Sequence, residues 1–545
     1  MRAAVAAPDA PAADAAAVHR APVTRVTSGR IVESAALASA LVVAALLRLP
    51  LLGEVPNGLF LDEASRGYDA YALLLTGGDQ YGVLWPLFAE GLDDFTPILY
   101  TLLIIPAVAA LGLTETAVRL PAALAGILTV FTTYLCGRRL FGSWAGLIGA
   151  MLVAISPWHI LPSRTGAEWV LLPLMASTGV WLLLRGREHG PSLLAAGLTL
   201  GVGLYSYAFA RLLVPLLVVG FVALWWRELA PRWRWATAGL IVLLALAVPI
   251  VLFGLTPAGQ ARLQTVVPLD RYRGLALVPY ALSNFASYFG PAFLVWGSEP
   301  THHHRLTGFG PILPIMAPLI VAGVAAVVSR PTRAGLFCLW WIVAAPASAA
   351  LHRESPSSAL LLGAIPAWQL LGGLGAVRLY QWADRWRRNV ALPVAALLAT
   401  AVILTAAFAA RELYVDYPVY AAEEWLYGAG ETIAFLEEQQ GRYDDIVVSD
   451  RLPTPHILVL FHTRFDPATY QRAPIHVRQP NVRSRGEIGR YRFGRTSELL
   501  ERTGRHLVWV PADEGAEVFG DRPPLLKVAL PDGHPAHLVY EVERR

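Results

Sequence analysis

Long uncharged apolar runs recur along this 545-residue chain, at roughly 31–47, 96–113, 117–135, 143–160, 167–184, 192–210, 212–226, 235–254, 310–328, 334–351, 357–377 and 390–410. A helix of about 20 apolar residues crosses the ~30 Å hydrocarbon core of a bilayer. Such runs account for a composition of 15% charged and 55% hydrophobic residues, where a soluble domain carries about 25% charge. A soluble enzyme, a disordered chain and a nucleic-acid binder are thereby excluded. Both cysteines, Cys136 and Cys338, sit inside apolar runs, which leaves no disulfide framework and no thiolate metal site. The net charge of +4 is less informative than its placement, and the basic charge is arginine throughout except for Lys527.

Arginine placement decides the topology. Suppose that 96–113 crosses the membrane and residues 1–30 lie inside. The loops carrying Arg138/Arg139, Arg185/Arg187, Arg227/Arg232/Arg234, Arg330/Arg333 and Arg378/Arg385/Arg387/Arg388 then all fall outside, against the bias of arginine toward the cytoplasmic face. If 96–113 instead lies along or dips into the outer face, all five loops fall inside. Pro97 and Pro106 suit that choice, since proline interrupts regular helix. The expectation is therefore a polytopic α-helical membrane protein of about eleven spans. Residues 1–30 form a disordered cytoplasmic tail and 31–410 a transmembrane domain with outer loops 52–116 and 255–308. Within the second loop, Leu275 to Phe293 is amphipathic and suits a helix at the interface. Residues 411–545 have ordinary charge and form an extracytoplasmic α/β domain. Its expected strands are 446–448, 457–461, 506–510, 525–530 and 537–542, with helix over 421–440.

The polar residues that could carry chemistry gather on the outer face. The first loop reads Leu61-Asp62-Glu63-Ala64-Ser65-Arg66, followed by Asp79, Glu90, Asp93 and Asp94. Asp62 stands at the start of a helical pattern, so it is equally readable as an N-cap. Arg164 and Arg211 end apolar runs on the outer side. A lone arginine there can anchor at the interface, or it can hold a phosphate through paired, permanently charged hydrogen bonds. Tyr205 and Tyr207 beside Arg211 are either substrate contacts or aromatic-belt residues. In the second loop, Glu299-Pro300-Thr301-His302-His303-His304-Arg305 offers His303 and Arg305 for phosphate contact. Three adjacent histidines cannot all face one ion, so a divalent metal is unsupported. The spans are almost free of ionisable residues, whereas a pore or pump needs them at mid-span.

These stretches resemble the GT-C fold membrane glycosyltransferases, namely the protein O-mannosyltransferase family (glycosyltransferase family 39) and the lipid A aminoarabinose transferases. The resemblance is carried by Asp62-Glu63-Ala64, Leu75-Thr76-Gly77-Gly78-Asp79, Asp93-Asp94-Phe95-Thr96-Pro97, Arg119-Leu120-Pro121, Arg138-Arg139-Leu140-Phe141-Gly142 and Ser156-Pro157-Trp158-His159 with Ser163-Arg164. It is strongest over about 55–215, and Thr307-Gly308-Phe309-Gly310 and Trp425-Leu426-Tyr427-Gly428 extend it. It implies inverting transfer of a sugar from a polyprenyl-phosphate donor, a membrane lipid, to an extracytoplasmic protein, lipid or cell-wall glycan acceptor. Asp62 is then the catalytic base, with Glu63 beside it holding an arginine or the acceptor. Arg164, Arg211, His303 and Arg305 bind the donor phosphate, and Asp93, Asp94, Tyr205 and Tyr207 the acceptor or substrate. The aminoarabinose transferases carry a lysine where this chain has Thr96, so phosphate binding differs in detail. A glycan or lipid transporter and a non-catalytic glycan-binding scaffold are the alternatives.

Overall fold

The computed structural model describes residues 21–92, 95–297, 306, 310–386, 388–474, 476–479, 482–484 and 487–544. Of the expected N-terminal tail, 1–20 lie outside the described residues. Residues 21–30 are not tail but the start of the first helix, Ala21–Arg48.

A helix stands at each of the eleven runs expected to cross. Length and apolarity alone admit six crossings among the described residues, or seven if Ser143–Ile155 and Pro157–Arg164, bent by 68°, count as one broken span. Pro191–Gly203, Ala317–Ser329 and Arg333–Ala349 are apolar but shorter. The run Ala210–Gly254 is 45 residues long, about 68 Å if straight, or twice a bilayer core. It breaks at Trp225 and again at the tight turn Ala230–Arg232. Leu99–Leu111 is only 13 residues, about 20 Å, too short to cross alone.

The break at Ser156-Pro157 is held by two buried arginines. Arg48, at the end of the first helix, donates to the carbonyls of Val153 and Ala154 at 3.3 and 2.9 Å and pairs with His159 Nδ1 at 2.9 Å. Arg164 returns the favour, donating to Leu47, Pro50, Leu51 and Val55 carbonyls at 2.8–3.4 Å. The last carbonyls of a helix lack intrahelical donors and sit at the negative end of its dipole. Arg48 thus meets the other segment's helix end in place of a carboxylate, while Arg164 meets the Leu47 carbonyl near the first helix's end and the loop carbonyls that follow it.

The C-terminal domain contains a six-stranded mixed sheet, in the order 487–488, 491–494, 445–449, 504–511, 535–544, 526–529. The Asp445–Ser449 strand is central, buried along its length and parallel to both neighbours. Parallel strands are covered on both faces, and here Pro455–Thr463 and Ala512–Phe519 cover opposite ones. Residues 457–461, expected as a strand, are helical. Every side chain from His456 to Phe461 is buried, so no polar face betrays the 3.6-residue period, and a short all-apolar run reads the same in either state. Pro455 at the first helical position starts the helix.

One apolar core runs from this domain into the first long loop, residues 52–116. It joins Ile457, Leu458 and Phe461 to Ala64, Tyr68 and Val118. Tyr68 donates to the Phe465 carbonyl at 2.9 Å, and Gln471 Nε2 reaches Thr76 Oγ1 and the Asp79 carbonyl at 2.9 and 2.8 Å. A Cβ on Gly67 would stand 2.7 Å from both Phe461 and Val118, so glycine is what lets the helices approach. The C-terminal domain thereby grips the helix Leu61–Thr76, on which Asp62 sits. In the second long loop, the helix Leu277–Ser287 leaves Val278 and Leu282 exposed, as an interfacial helix would. Its Asn284 and Tyr280 anchor it to the 350–352 turn.

Candidate active site

Asp62 and Glu63 occupy the second and third positions of the helix Leu61–Thr76, whose N-cap is Phe60. Asp62 is therefore not the N-cap that the sequence also allowed. The free N–H of the N-cap is met instead by Glu63 from the third position, whose Oε2 accepts from Phe60 N at 3.2 Å. Glu63 is buried and fully engaged. It takes Arg119 Nε and Nη2 at 2.9 and 2.8 Å and Gly166 N at 2.6 Å. Arg119 in turn binds the carbonyls of Leu52, Pro56 and Gly58. The pair ties the loop 52–58, the loop helix and the turn after Arg164 into one unit.

Asp62 carries no such duty. Its side chain is 51% exposed, and its ion-pair partner is Arg66, 3.4 Å away and one helical turn on. Arg66 is buried and closer still, at 2.5 Å, to Glu168 of the turn after the broken span. Burial opposes the Arg66 charge, but the carboxylates of Glu168 and Asp62 outweigh it and hold the guanidinium above its ordinary pKa. Arg66 Nη1 is buried with no hydrogen-bond partner among the described residues. The sequence offered little to single out Glu168 or Arg66, which lie 102 positions apart and meet only in the fold.

One aromatic side chain stands within reach of this triad, and others line the adjoining loops. Tyr207 is buried, edge-on to Trp169 at 6.3 Å, and within electrostatic reach of Glu168 and Arg66. Tyr205 donates to the Leu246 carbonyl at 2.7 Å and touches Phe88. Phe88, on the short hairpin 88–90/95–97, stacks on Phe253 at 4.0 Å. Arg211, beside Tyr205, keeps a buried Nε without a partner among the described residues. Arg164 is placed differently from Arg211: its guanidinium is spent on the four carbonyls named above and on the Tyr414 hydroxyl at 3.4 Å. Asp93 and Asp94, between the hairpin strands, and His303 and Arg305 lie outside the described residues. Among the described residues, no group of three or more His, Cys, Asp or Glu is arranged to hold a metal ion.

Behind Asp62, Asp69 is buried and accepts from Gln80 N at 2.9 Å. Burial, aided by Asp79, drives its carboxyl well above the usual range against the pull of the Gln80 N–H. A raised folded pKa contributes stability that is complete below the unfolded carboxylate range, near pH 4, and is lost as pH rises through the folded value. Asp69→Asn copies the protonated acid. It is expected to be at least as stable as wild type at neutral pH and to flatten the rise in thermal midpoint seen on acidification toward about pH 5. A midpoint-versus-pH series on both proteins checks this.

Residues 96–253 match the family described as dolichyl-phosphate-mannose-protein mannosyltransferase, less than half of the chain. No curated protein matches it in sequence. Among solved structures, ArnT from Cupriavidus metallidurans bound to undecaprenyl phosphate superposes with a TM-score of 0.56 at 15% identity, over 94% of this chain and 98% of that one. The archaeal oligosaccharyltransferase AglB from Archaeoglobus fulgidus, in complex with an inhibitory peptide and a dolichol-phosphate, superposes with a TM-score of 0.53 at 15% identity, over 80% of this chain and 64% of that one. At such identities the likeness establishes the fold. This is a polytopic membrane protein of the GT-C glycosyltransferase fold with a sheet-containing C-terminal domain, and the fold and the family match together support transferase activity.

Proposed function

We propose that this chain moves a sugar from a polyprenyl-phosphate donor to an acceptor hydroxyl at the extracytoplasmic face, with inversion and with Asp62 as general base. The observation that carries this reading is the half-exposed Asp62 carboxylate, steadied by an arginine that the buried Glu168 fixes in place. Asp62 takes the proton of the acceptor hydroxyl. That oxygen attacks the anomeric carbon from the face opposite the departing phosphate. The bond from that carbon to the phosphate oxygen breaks, and the oxygen leaves with the electron pair. Charge growing on the phosphate is met by cations already positioned for it. Arg211, with its unpartnered Nε, and Arg66, with its unpartnered Nη1, have N–H groups to spare for this, as do Arg48, Arg187 and Arg492 elsewhere in the fold. Glu63 acts as a positioning residue through Arg119. The match to a lipid-linked mannosyltransferase family and the likeness to structures holding polyprenyl or dolichol phosphates support the donor class.

On this reading the N-terminus is cytoplasmic and the domain 411–545 extracytoplasmic, with 31–410 as the catalytic unit in the cytoplasmic membrane. Leu99–Leu111 lies at the outer face, which its 13-residue length favours.

Arg211→Met tests the phosphate assignment. A charge-assisted hydrogen bond is worth about 1.5–3 kcal/mol, so donor kcat/KM is expected to fall about 10- to 100-fold, chiefly through KM. Donor titration in reconstituted membranes measures this, and an unchanged donor KM removes Arg211 from the site.

A further inference from the structure

The helices Leu171–Gly186 and Ala210–Leu229 each begin at the candidate site, the first just after Glu168 and the second at Arg211. They end about 24 and 30 Å further on, close to one hydrocarbon thickness. The loops reached there are packed on each other. Arg232 Nη2 donates to the Glu188 carbonyl at 3.1 Å, and a Cβ on Gly190 would stand 2.3 Å from the Trp235 ring. Trp226, Trp233 and Trp235 are exposed at this end. Tryptophan gathers at the headgroup level of a bilayer, so these loops stand among phospholipid headgroups, in the leaflet opposite the candidate site.

Four arginines crowd the two loops, and each is seated on an indole rather than on an acid. Arg185, Arg187, Arg227 and Arg234 hold their guanidinium carbons 5.3–5.8 Å from the ring centroids of Trp181, Trp225, Trp226 and Trp233. The two acids of these loops are taken from outside the group, Glu188 by Arg139 and Glu228 by Arg333. None of the four has a carboxylate partner among the described residues. Arg187 is half-buried against Trp225, where the long apolar run breaks, and its Nε is buried with no hydrogen-bond partner among the described residues. A cation–π contact fixes a guanidinium through the ring face and leaves its N–H groups for an oxyanion. Arg330 and Arg385, at the same ends of neighbouring helices, are exposed and lie over no ring among the described residues.

We propose that residues 185–190 and 225–235 form a binding site for the headgroup of an anionic phospholipid, with Arg187 and Arg227 as its principal phosphate contacts. A zwitterionic headgroup brings its own ammonium into a cluster of cations, and a free phosphate has no acyl chains to lie along the exposed indoles. The site stands apart from the transferase reading, whose lipid phosphate is held at the other end of these helices.

The test uses the full chain, stripped of lipid in a neutral detergent. The probes are a short-chain phosphatidylglycerol, the phosphatidylcholine of the same chains, inorganic phosphate and a polyprenyl phosphate. Bound lipid is counted by native mass spectrometry beside the thermal unfolding midpoint. Phosphatidylglycerol is expected to bind about tenfold or more tighter than phosphatidylcholine at low salt, to raise the midpoint, and to lose part of its preference as salt is raised. Arg187→Gln with Arg227→Gln is expected to weaken phosphatidylglycerol about tenfold or more. Arg330→Gln with Arg385→Gln removes the same charge from the same end and is expected to bind it as wild type does. Equal binding of the two phospholipids by wild type, equal loss in the two double variants, or displacement of phosphatidylglycerol by inorganic phosphate or by the polyprenyl phosphate overturns the proposal. If the first double variant does not fold, the wild-type comparison and the two competitions decide.

Discussion

Asparagine in place of Asp62 is expected to lower sugar transfer about 10²- to 10⁴-fold, the usual contribution of a positioned general base. It is expected to leave the protein folded and inserted, with stability changed by no more than about 0.5 kcal/mol. The reason lies in how little of the structure depends on Asp62. Its carboxylate is half-exposed and its ion pair with Arg66 is long, at 3.4 Å, and exposed pairs are worth about 0–1 kcal/mol. Arg66 retains Glu168 at 2.5 Å when Asp62 is neutralised, so no buried charge is orphaned. Asparagine keeps the shape but cannot accept the hydroxyl proton. The measurement is kcat in reconstituted membranes beside a thermal unfolding midpoint. Retained transfer by a folded variant removes Asp62 as the base.

The neighbouring acid is expected to behave in the opposite way. Glu63→Gln leaves Arg119 buried and uncompensated, and its new amide N–H₂ faces donors from Phe60, Gly166 and Arg119. Breaking a buried pair from one side costs about 3–5 kcal/mol. The unfolding midpoint is expected to fall steeply. At a temperature where the variant is still folded, transfer is expected to be reduced far less than in Asp62→Asn. A midpoint within a degree of wild type contradicts the assignment of Glu63 as the fastener of the loop 52–58. The adjacent carboxylates thus separate into one that holds the site together and one that is left for chemistry.

That division is not visible in the residues Asp62-Glu63 as written. It depends on Arg119, 56 positions away, and on Gly166, 103 positions away. Arg164 and Arg211 pose the same problem. Both end apolar runs, and an arginine that caps a helix end is the same letter as one that holds a phosphate. Only the fold shows Arg164 wrapped in the carbonyls of 47–55 and Arg211 with an N–H to spare. Local signals read more directly. The apolar runs are helices, because burial in lipid leaves backbone groups no other partner. The central strands 446–448 and 506–510 are strands, because β-branched runs between turns have few alternatives. The run 457–461 misleads because burial on every side erases its period.

The most direct test of the central claim is to supply the reconstituted wild-type protein with a panel of polyprenyl-phosphate sugars, radiolabelled in the sugar, together with peptide acceptors. The account predicts label in the acceptor, one polyprenyl phosphate released for each sugar transferred, and a product of inverted anomeric configuration. Label that crosses the membrane still attached to its lipid, with none reaching an acceptor, contradicts it and identifies a transporter.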